Sequence, residues 1–260
     1  MKKYLVIGNP IEHSLSPKLH NYWIRQNNLD AIYEKKKIED GQIQETISSL
    51  RNKEIQGINV TVPFKQKVIP FLDELTKEAK NTKSVNTIYI TKGKIFGDNT
   101  DIFGFERAFD ETNYDLTNKK VFIIGAGGVV PSIIYALKRK KVSQIIISNR
   151  TKKKAERFNL EVIEWGKTPQ ADLIINATSL GLKKKDNIPF DFSKIGPNKF
   201  FFDVIYNPNK TNFLIKAEEY KHRIENGKMM FIYQAAAAFK IWHNVNVKID
   251  KNIIDLLKND

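Results

Sequence analysis

Four short polar stretches in the first half of the chain set hydroxyls and amides at expected strand ends or turns. They are Ser14-Leu15-Ser16-Pro17, Asn59-Val60-Thr61-Val62-Pro63-Phe64-Lys65, Ser84-Val85-Asn86-Thr87 and Gly97-Asp98-Asn99-Thr100-Asp101. In open α/β sheets, ligands gather outside the carboxyl ends of strands. Hydroxyls and amides donate and accept without fixed charge, so they suit a polyol bearing a carboxylate and discriminate through bonds left unmatched. Purely structural readings stand beside this one. Ser16 is a good helix N-cap, Asn99 and Asp101 suit a turn, and Lys65 is one lysine among many on a basic surface. Asn59 and Asn86, inside apolar strands, are harder to place as structure alone, because buried amides need partners.

A second group lies near the middle of the chain. Val121-Phe122-Ile123-Ile124 runs into Gly125-Ala126-Gly127-Gly128-Val129-Val130, with glycines after a strand and before a helix. Gly125 permits a tight turn, and Gly127 lets backbone amides approach a pyrophosphate favoured by the helix N-terminus. The third fingerprint position, normally Gly or Ala, is Val130, and Pro131 falls in the first helical turn, where its missing amide matters little. The next strand, Ile145-Ile146-Ile147-Ser148, ends in Asn149-Arg150-Thr151. NAD enzymes usually carry an acid about 20 residues past the glycines to bind the ribose 2′-hydroxyl. Arg150 there can pair with a 2′-phosphate instead, which argues for NADP over NAD. The alternatives are a turn without ligand and a solvated basic loop.

The elements that must position these groups follow from periodicity. Strands are expected at Lys3–Gly8, Ala31–Ile38, Gly57–Val62 and, as a hairpin about Lys92-Gly93, Val85–Ile90 with Lys94–Phe96. Helices are expected at Pro17–Asn27 with Ser16 as N-cap, at Gln42–Leu50 and at Phe64–Leu75, where Pro63 suggests a helix start. The pattern then restarts as a βαβ series. Helix Ile102–Phe109 leads to strands Lys120–Ile124, Gln144–Ser148, Leu173–Ile175 and Phe200–Ile205. Helices are expected at Val129–Lys138, from Ala155 to Phe158, over Met229–Trp242 and at Ile253–Leu257. This predicts two α/β domains, the second Rossmann-like and dinucleotide-binding, with a catalytic cleft between them.

The chain of 260 residues allows one large domain or two ordinary ones. Hydrophobic residues at 41% and charged residues at 28% can fill real cores, which excludes the disordered class. Cysteine is absent, so disulfides and thiolate metal sites are excluded. His13, His20, His222 and His243 show no ligand spacing, and no metal is expected. The first apolar run is too short for a signal peptide, and no stretch approaches the roughly 20 apolar residues of a membrane span. The expectation is a cytoplasmic protein with no membrane partner. The formal charge of +14 is spread over short lysine runs without a nucleic-acid motif. It reads as solvated surface that also attracts an anionic cofactor, with no nucleic-acid partner.

Over essentially its full length the chain resembles the shikimate dehydrogenase family. The resemblance rests on the four polar stretches, on Asn149-Arg150-Thr151, and on Asn176-Ala177-Thr178-Ser179-Leu180-Gly181, Asp203-Val204-Ile205-Tyr206 and Gln234-Ala235-Ala236-Ala237-Ala238-Phe239. It implies a substrate-binding domain from residues 1–100 plus 234–260 and an NADP-binding domain from 101–233. It implies reversible reduction of 3-dehydroshikimate to shikimate, with Lys65 and Asp101 as the catalytic pair. Ser14, Ser16, Thr61 and Tyr206 would hold the substrate carboxylate, and Asn59, Asn86 and Gln234 would approach ring hydroxyls or neighbouring groups. The cofactor would meet Gly125, Ala126, Gly127, Gly128, Asn149, Arg150, Thr151, Lys154, Thr178, Ser179 and Gly227. The chain departs from the family pattern at Val129, Val130 and Pro131 and in the less apolar run Gly227-Lys228-Met229-Met230. A small-molecule enzyme, monomeric or homodimeric, is expected. The rival readings are a quinate/shikimate dehydrogenase of the same fold and a nucleotide-sensing regulator without activity.

Overall fold

The computed structural model describes residues 1–257 and divides into two compact units. The first comprises Met1–Phe105 together with the chain from Ile232 onward, and the second comprises Glu106–Phe231. The expected divisions at 100/101 and 233/234 therefore move by a few residues. Both divisions fall inside continuous helices, α4 (Asp101–Thr112) and α8 (Lys228–His243), so no loop marks either boundary.

In the first unit, β1 (Lys2–Gly8), β2 (Ala31–Lys37), β3 (Gly57–Val60), β4 (Glu74–Leu75), β5 (Thr87–Thr91) and β6 (Lys94–Asp98) form one sheet. Their order is β2-β1-β3-β5-β6-β4. β1 pairs in parallel with β2 and β3, whereas β5 is antiparallel to both β3 and β6. Every residue of β3 is buried, as a strand covered on both faces must be. Helix α2 (Ile43–Arg51) covers one face and contributes Ile47 and Leu50 to a core with Leu5, Ile7, Ile58, Val85 and Ile88. Helix α1 (Ser16–Gln26) packs its apolar stripe, Leu19, Trp23 and Ile24, inward. Edge strand β2 is protected twice. The Asn21 side chain donates to Tyr33 O (2.7 Å) and accepts from Tyr33 N (2.9 Å), and exposed Lys35, Lys36 and Lys37 end the strand.

Two local expectations are corrected. The segment 64–75 is not an α-helix. One helical turn forms, with Val68 N–H bonded to Phe64 O, followed by a 3₁₀ turn at Ile69–Phe71 and the two-residue β4. Buried Phe64 and Val68, four apart, mimic helical periodicity, but Pro70 supplies no amide and cannot continue a helix. Pro63 starts no helix, so no helix N-terminus acts on Lys65. Ser16 is the first residue of α1 rather than its cap, and Leu15 holds the cap position without a side-chain bond. The Ser16 amide is satisfied by Ser14 Oγ at 3.3 Å.

The second unit carries β7 (Lys120–Ile124), β8 (Gln144–Ser148), β9 (Glu161–Ile163), β10 (Leu173–Asn176), β11 (Phe200–Asp203) and β12 (Arg223–Asn226). All pair in parallel, in the order β12-β11-β10-β7-β8-β9. Counted from β7, this is the doubly wound order 3-2-1-4-5-6. Alternation along β11 shows both faces covered. Phe201 packs with Phe192 and Phe213, whereas Phe200 and Phe202 pack on Phe109 of α4. β9, β12 and α7 (Asn212–Glu219) were not anticipated. The two strands are short, partly exposed sheet edges, and the signal for α7 is its cap, Thr211, whose hydroxyl accepts Leu214 N–H. The remaining helices are α3 (Lys77–Thr82), α5 (Val130–Arg139), α6 (Lys152–Glu156) and α9 (Lys251–Leu256). No helix among the described residues is long and apolar enough to cross a membrane.

An aromatic cluster in the first unit yields a pH prediction. His20 is buried and stacked on Tyr33 at 4.1 Å, with Trp23, Trp242 and Phe239 around it. Burial, then the His243 charge, pushes its pKa down to about 3. The fold keeps the ring neutral, whereas the unfolded chain takes up the proton below about 6.5. Stability is therefore lost as pH falls from about 6.5 toward about 3. His20→Phe, which keeps the stack, is expected to lose less stability over that window, read as urea midpoints. Equal acid sensitivity in both proteins would remove His20 as a cause.

Candidate active site

Strand register gathers the first set of polar residues. Asn59 of β3 stands opposite Thr87 of β5, which stands opposite Asp98 of β6. The carboxyl ends of β3 and β6 and the start of β5 therefore lie at one end of the sheet. Ile7 near the end of β1 lies beside Val60, and its carbonyl accepts Thr61 N–H. Each motif leaves the sheet at this end.

There Lys65 Nζ lies 2.5 Å from Asp101 Oδ2, with side chains only 11% and 8% exposed. Asp101 opens α4, where the helix dipole complements a carboxylate. Its other oxygen accepts Asn86 Nδ2 at 3.0 Å, and Val85 N–H pins the Lys65 carbonyl. A buried pair gains little net energy from its own attraction, but removing one partner typically costs about 3–5 kcal/mol because the other is left uncompensated. The pair survives because its surroundings are themselves fixed. Asn86 Nδ2 also donates to Thr100 Oγ1 (2.9 Å) and Gln234 Oε1 (3.3 Å), and Asn86 Oδ1 accepts Thr100 N–H (2.8 Å). Asn59 donates to Asn86 O and Thr87 Oγ1 and accepts Tyr33 O–H at 2.7 Å. Thr87 and Thr100 belong to the polar stretches singled out in the sequence, without a role of their own there, and Tyr33 joins the network with no sequence signal, since these bonds cross between strands.

Six expected substrate-side residues, Ser14, Ser16, Asn59, Thr61, Asn86 and Gln234, lie in the first unit with Lys65 and Asp101. Ser14, Thr61 and Gln234 are half-buried and Ser16 is buried. Tyr206 belongs to the second unit, where it stacks on Phe231 at 4.4 Å. Asn99 turns away into structure, donating to Thr82 Oγ1 and Ser84 O.

In the second unit the sheet order reverses between β7 and β10, the place where such folds take ligands. Gly125 has φ +115°, and a Cβ there would sit 2.8 Å from the Ala177 carbonyl oxygen. Gly127 is exposed, and its Cβ would meet nothing nearer than that oxygen at 3.7 Å, so a cradle is open at this position. Buried Val130 begins α5, and Gly128 is half-buried. After β8, Asn149 Nδ2 braces Thr151 O at 2.8 Å. Arg150 is exposed and makes no ion pair among the described residues, and Lys154 is exposed on α6. Thr178 is half-buried and Ser179 exposed in the turn after β10, while Ala126 is buried beneath the glycines. Arg157, not anticipated, donates to Ala126 O at 3.0 Å. Gly227 is buried, and a side chain there would collide with the Val204 carbonyl, so backbone packing alone requires glycine. The open Gly127 and the exposed Arg150 guanidinium fit a dinucleotide with a 2′-phosphate. Among the described residues, no cluster of three or more His, Cys, Asp or Glu side chains could hold a metal.

A Rossmann sheet with this glycine turn, in one chain with an α/β unit carrying a buried ammonium–carboxylate pair, defines the class: an oxidoreductase dependent on a nicotinamide dinucleotide. Residues 6–88 match the family description "Shikimate dehydrogenase substrate binding domain", and residues 106–180 match "Shikimate / quinate 5-dehydrogenase". Shikimate dehydrogenase (NADP(+)) of Pelagibacter ubique (strain HTCC1062) is 52% identical over 98% of both chains. The crystal structure of shikimate dehydrogenase from Aquifex aeolicus superposes with a TM-score of 0.90 at 33% identity, covering 100% of this chain and 98% of that one. The Thermus thermophilus shikimate 5-dehydrogenase, solved with NADP(H) and shikimate, gives 0.89 at 27% identity over 99% of both chains. The chain belongs to the shikimate dehydrogenase family.

The two glycines of the turn are expected to separate fold from ligand. Gly125→Ala should lower stability by about 2 kcal/mol or more in urea denaturation, from the positive φ and the backbone collision. Gly127→Ala should unfold at nearly the wild-type midpoint while weakening dinucleotide binding. Loss of stability in the second variant, or its absence in the first, would reverse the assignment.

Proposed function

We propose that this chain catalyses the reversible NADPH-dependent reduction of 3-dehydroshikimate to shikimate, carried above all by the buried Lys65–Asp101 pair at 2.5 Å. The hydroxyls and amides at the same end of the sheet suit a ring bearing a carboxylate and several hydroxyls. The chemistry that NADP(H) supplies when bound is hydride transfer to or from the carbonyl carbon. As that carbon is reduced, negative charge grows on its oxygen. The Lys65 ammonium stabilises that oxygen and hands it a proton, and in the reverse direction the neutral Lys65 amine takes the hydroxyl proton away. Help of this kind typically contributes about 10²–10⁴-fold. Asp101 holds the ammonium in place and accepts from a ring hydroxyl, and Asn86 fixes the carboxylate that does so.

Ser14, Ser16, Thr61 and Tyr206 hold the substrate carboxylate, and Gln234, bonded to Asn86, approaches the ring. Asn59 acts at one remove, since its amide is engaged with Tyr33, Thr87 and Asn86. Gly125 to Gly128, Thr178 and Ser179 seat the pyrophosphate side of NADP, and Gly227 lets the backbone approach the nicotinamide. Asn149, Arg150, Thr151 and Lys154 take its 2′-phosphate. A small-molecule enzyme of this kind works in the cytoplasm as a monomer or homodimer and needs no nucleic acid or membrane. The direct assay is NADP⁺ reduction with shikimate, repeated with NAD⁺ and with quinate. Turnover only with quinate, or none in wild type that binds NADP⁺, would reject the activity.

Lys65→Ala is expected to lower kcat by at least about 10²-fold. Because it strands the Asp101 carboxylate, the double variant Lys65→Met/Asp101→Asn serves as the check that activity is lost in a folded protein. Near-normal turnover in either removes Lys65 as proton donor. Arg150→Ala should raise the KM for NADPH by about tenfold or more, a lost charge-assisted pair, and leave that for NADH nearly unchanged. Equal changes would remove its 2′-phosphate role.

A further inference from the structure

The second unit contains a buried carboxylate that the reaction does not use. Asp203 ends β11 and is fully inaccessible to solvent. Its partners are the side-chain amide of Asn176 at the end of β10 (3.0 Å to both oxygens), the Thr211 hydroxyl at the start of α7 (2.6 Å) and the Ile205 backbone N–H (2.9 Å). All three are uncharged, and no ionisable side chain among the described residues bonds to Asp203. A carboxylate with this surround accepts from every neighbour, so each donor is held in one orientation.

Asn176 passes that orientation on. With its amide hydrogens turned to Asp203 and Leu180 O, its oxygen faces Thr178, accepting the Thr178 N–H (3.0 Å) and hydroxyl (2.7 Å). The Thr178 hydroxyl in turn accepts Leu180 N–H at 3.0 Å. This chain shapes the turn whose Ala177 carbonyl packs on Gly125, the wall of the crevice where the sheet order reverses. Through Ile205, Asp203 also sets the backbone against which Gly227 packs: Gly227 N–H donates to Ile205 O at 3.1 Å.

We propose that Asp203 is a positioning residue for the dinucleotide site, holding through Asn176 the Ala177–Leu180 turn and through Ile205 the backbone beneath Gly227, and that it does so as a carboxylate. This rests on the reading that the second unit binds NADP. Burial pushes its pKa up to about 6, against the hydrogen bonds from Thr211, Asn176 and Ile205. A protonated Asp203 can give its hydrogen only to the Thr211 hydroxyl oxygen, which must turn to accept it, and the neutral carboxyl then accepts the Asn176 amide more weakly, so Asn176 is less firmly held.

The test is calorimetric binding of NADP⁺ to wild type and Asp203→Asn between pH 5 and pH 8. The ratio of the two dissociation constants cancels the titration of the cofactor's own 2′-phosphate. It is expected at about tenfold at pH 8, one charged hydrogen-bond network lost, shrinking toward one near pH 5 as wild type becomes protonated. A ratio of one throughout, or one that does not change with pH, overturns the role. Should Asp203→Asn fail to fold, Thr211→Val decides. It removes a bond that favours the ionised form, so the pH at which affinity falls off moves up relative to wild type, and Thr211→Ser returns it. An unmoved fall-off overturns the role. Wild-type turnover of shikimate beside a flat ratio sinks Asp203 alone; the expected ratio without turnover sinks the activity alone.

Discussion

An ammonium and a carboxylate withdrawn from water are tolerated only where their neighbours are already committed, and the first unit is organised around that constraint. Lys65 follows β3 and Asp101 follows β6, and neither strand pairs with the other. What brings them together is β5, antiparallel to both, whose register sets Thr87 opposite Asn59 and Asp98. Asn86, one residue before that strand, then bonds to Asp101, Thr100 and Gln234 at once. Shifting β5 by one residue would turn its side chains to the opposite faces and dissolve the network. The buried apolar faces of β3 and β5 make such a slip costly, so the same residues that fill the core also hold the pair.

The second unit keeps a buried carboxylate by a different device. Asp203 is held by neutral donors, which offset only part of the effect of burial, and burial pushes its pKa up to about 6 where an exposed aspartate lies near 4. His20 and His243 of the first unit respond with the opposite sign. His20 is held to about 3 and His243 to about 4, chiefly by burial. Ionising Asp203 opposes folding as pH rises through 6, whereas neutral buried histidines favour folding as pH rises toward 6.5. The acid side of the stability curve is a balance between the two.

Much of the architecture was legible because it depends on local periodicity. β7 and β8 fall where alternation and apolar runs put them, and the glycine turn after β7 needs glycine at 125 for reasons of backbone angle alone. Legibility failed where a local signal had two causes. Phe64 and Val68 have helical spacing but belong to a single turn that Pro70 ends. Ser16 has a cap's chemistry, yet the accepting hydroxyl belongs to Ser14, just upstream of the helix. β9 and β12 escaped notice because strands at a sheet edge, half exposed, need no continuous apolar run.

By itself the amino-acid sequence determined the class of each unit, the glycine turn, the basic side chains that follow β8, and which polar residues stand at strand ends. These follow from backbone sterics and from the period of burial, both properties of neighbours along the chain. Only the tertiary structure decided which polar residues meet. Tyr33 with Asn59, Asn86 with Gln234 (148 positions further along the chain), and Asp203 with Asn176 are bonds between segments remote in sequence. A hydrogen bond requires its atoms within about 3 Å, and strand order and register, not spacing along the chain, set that distance.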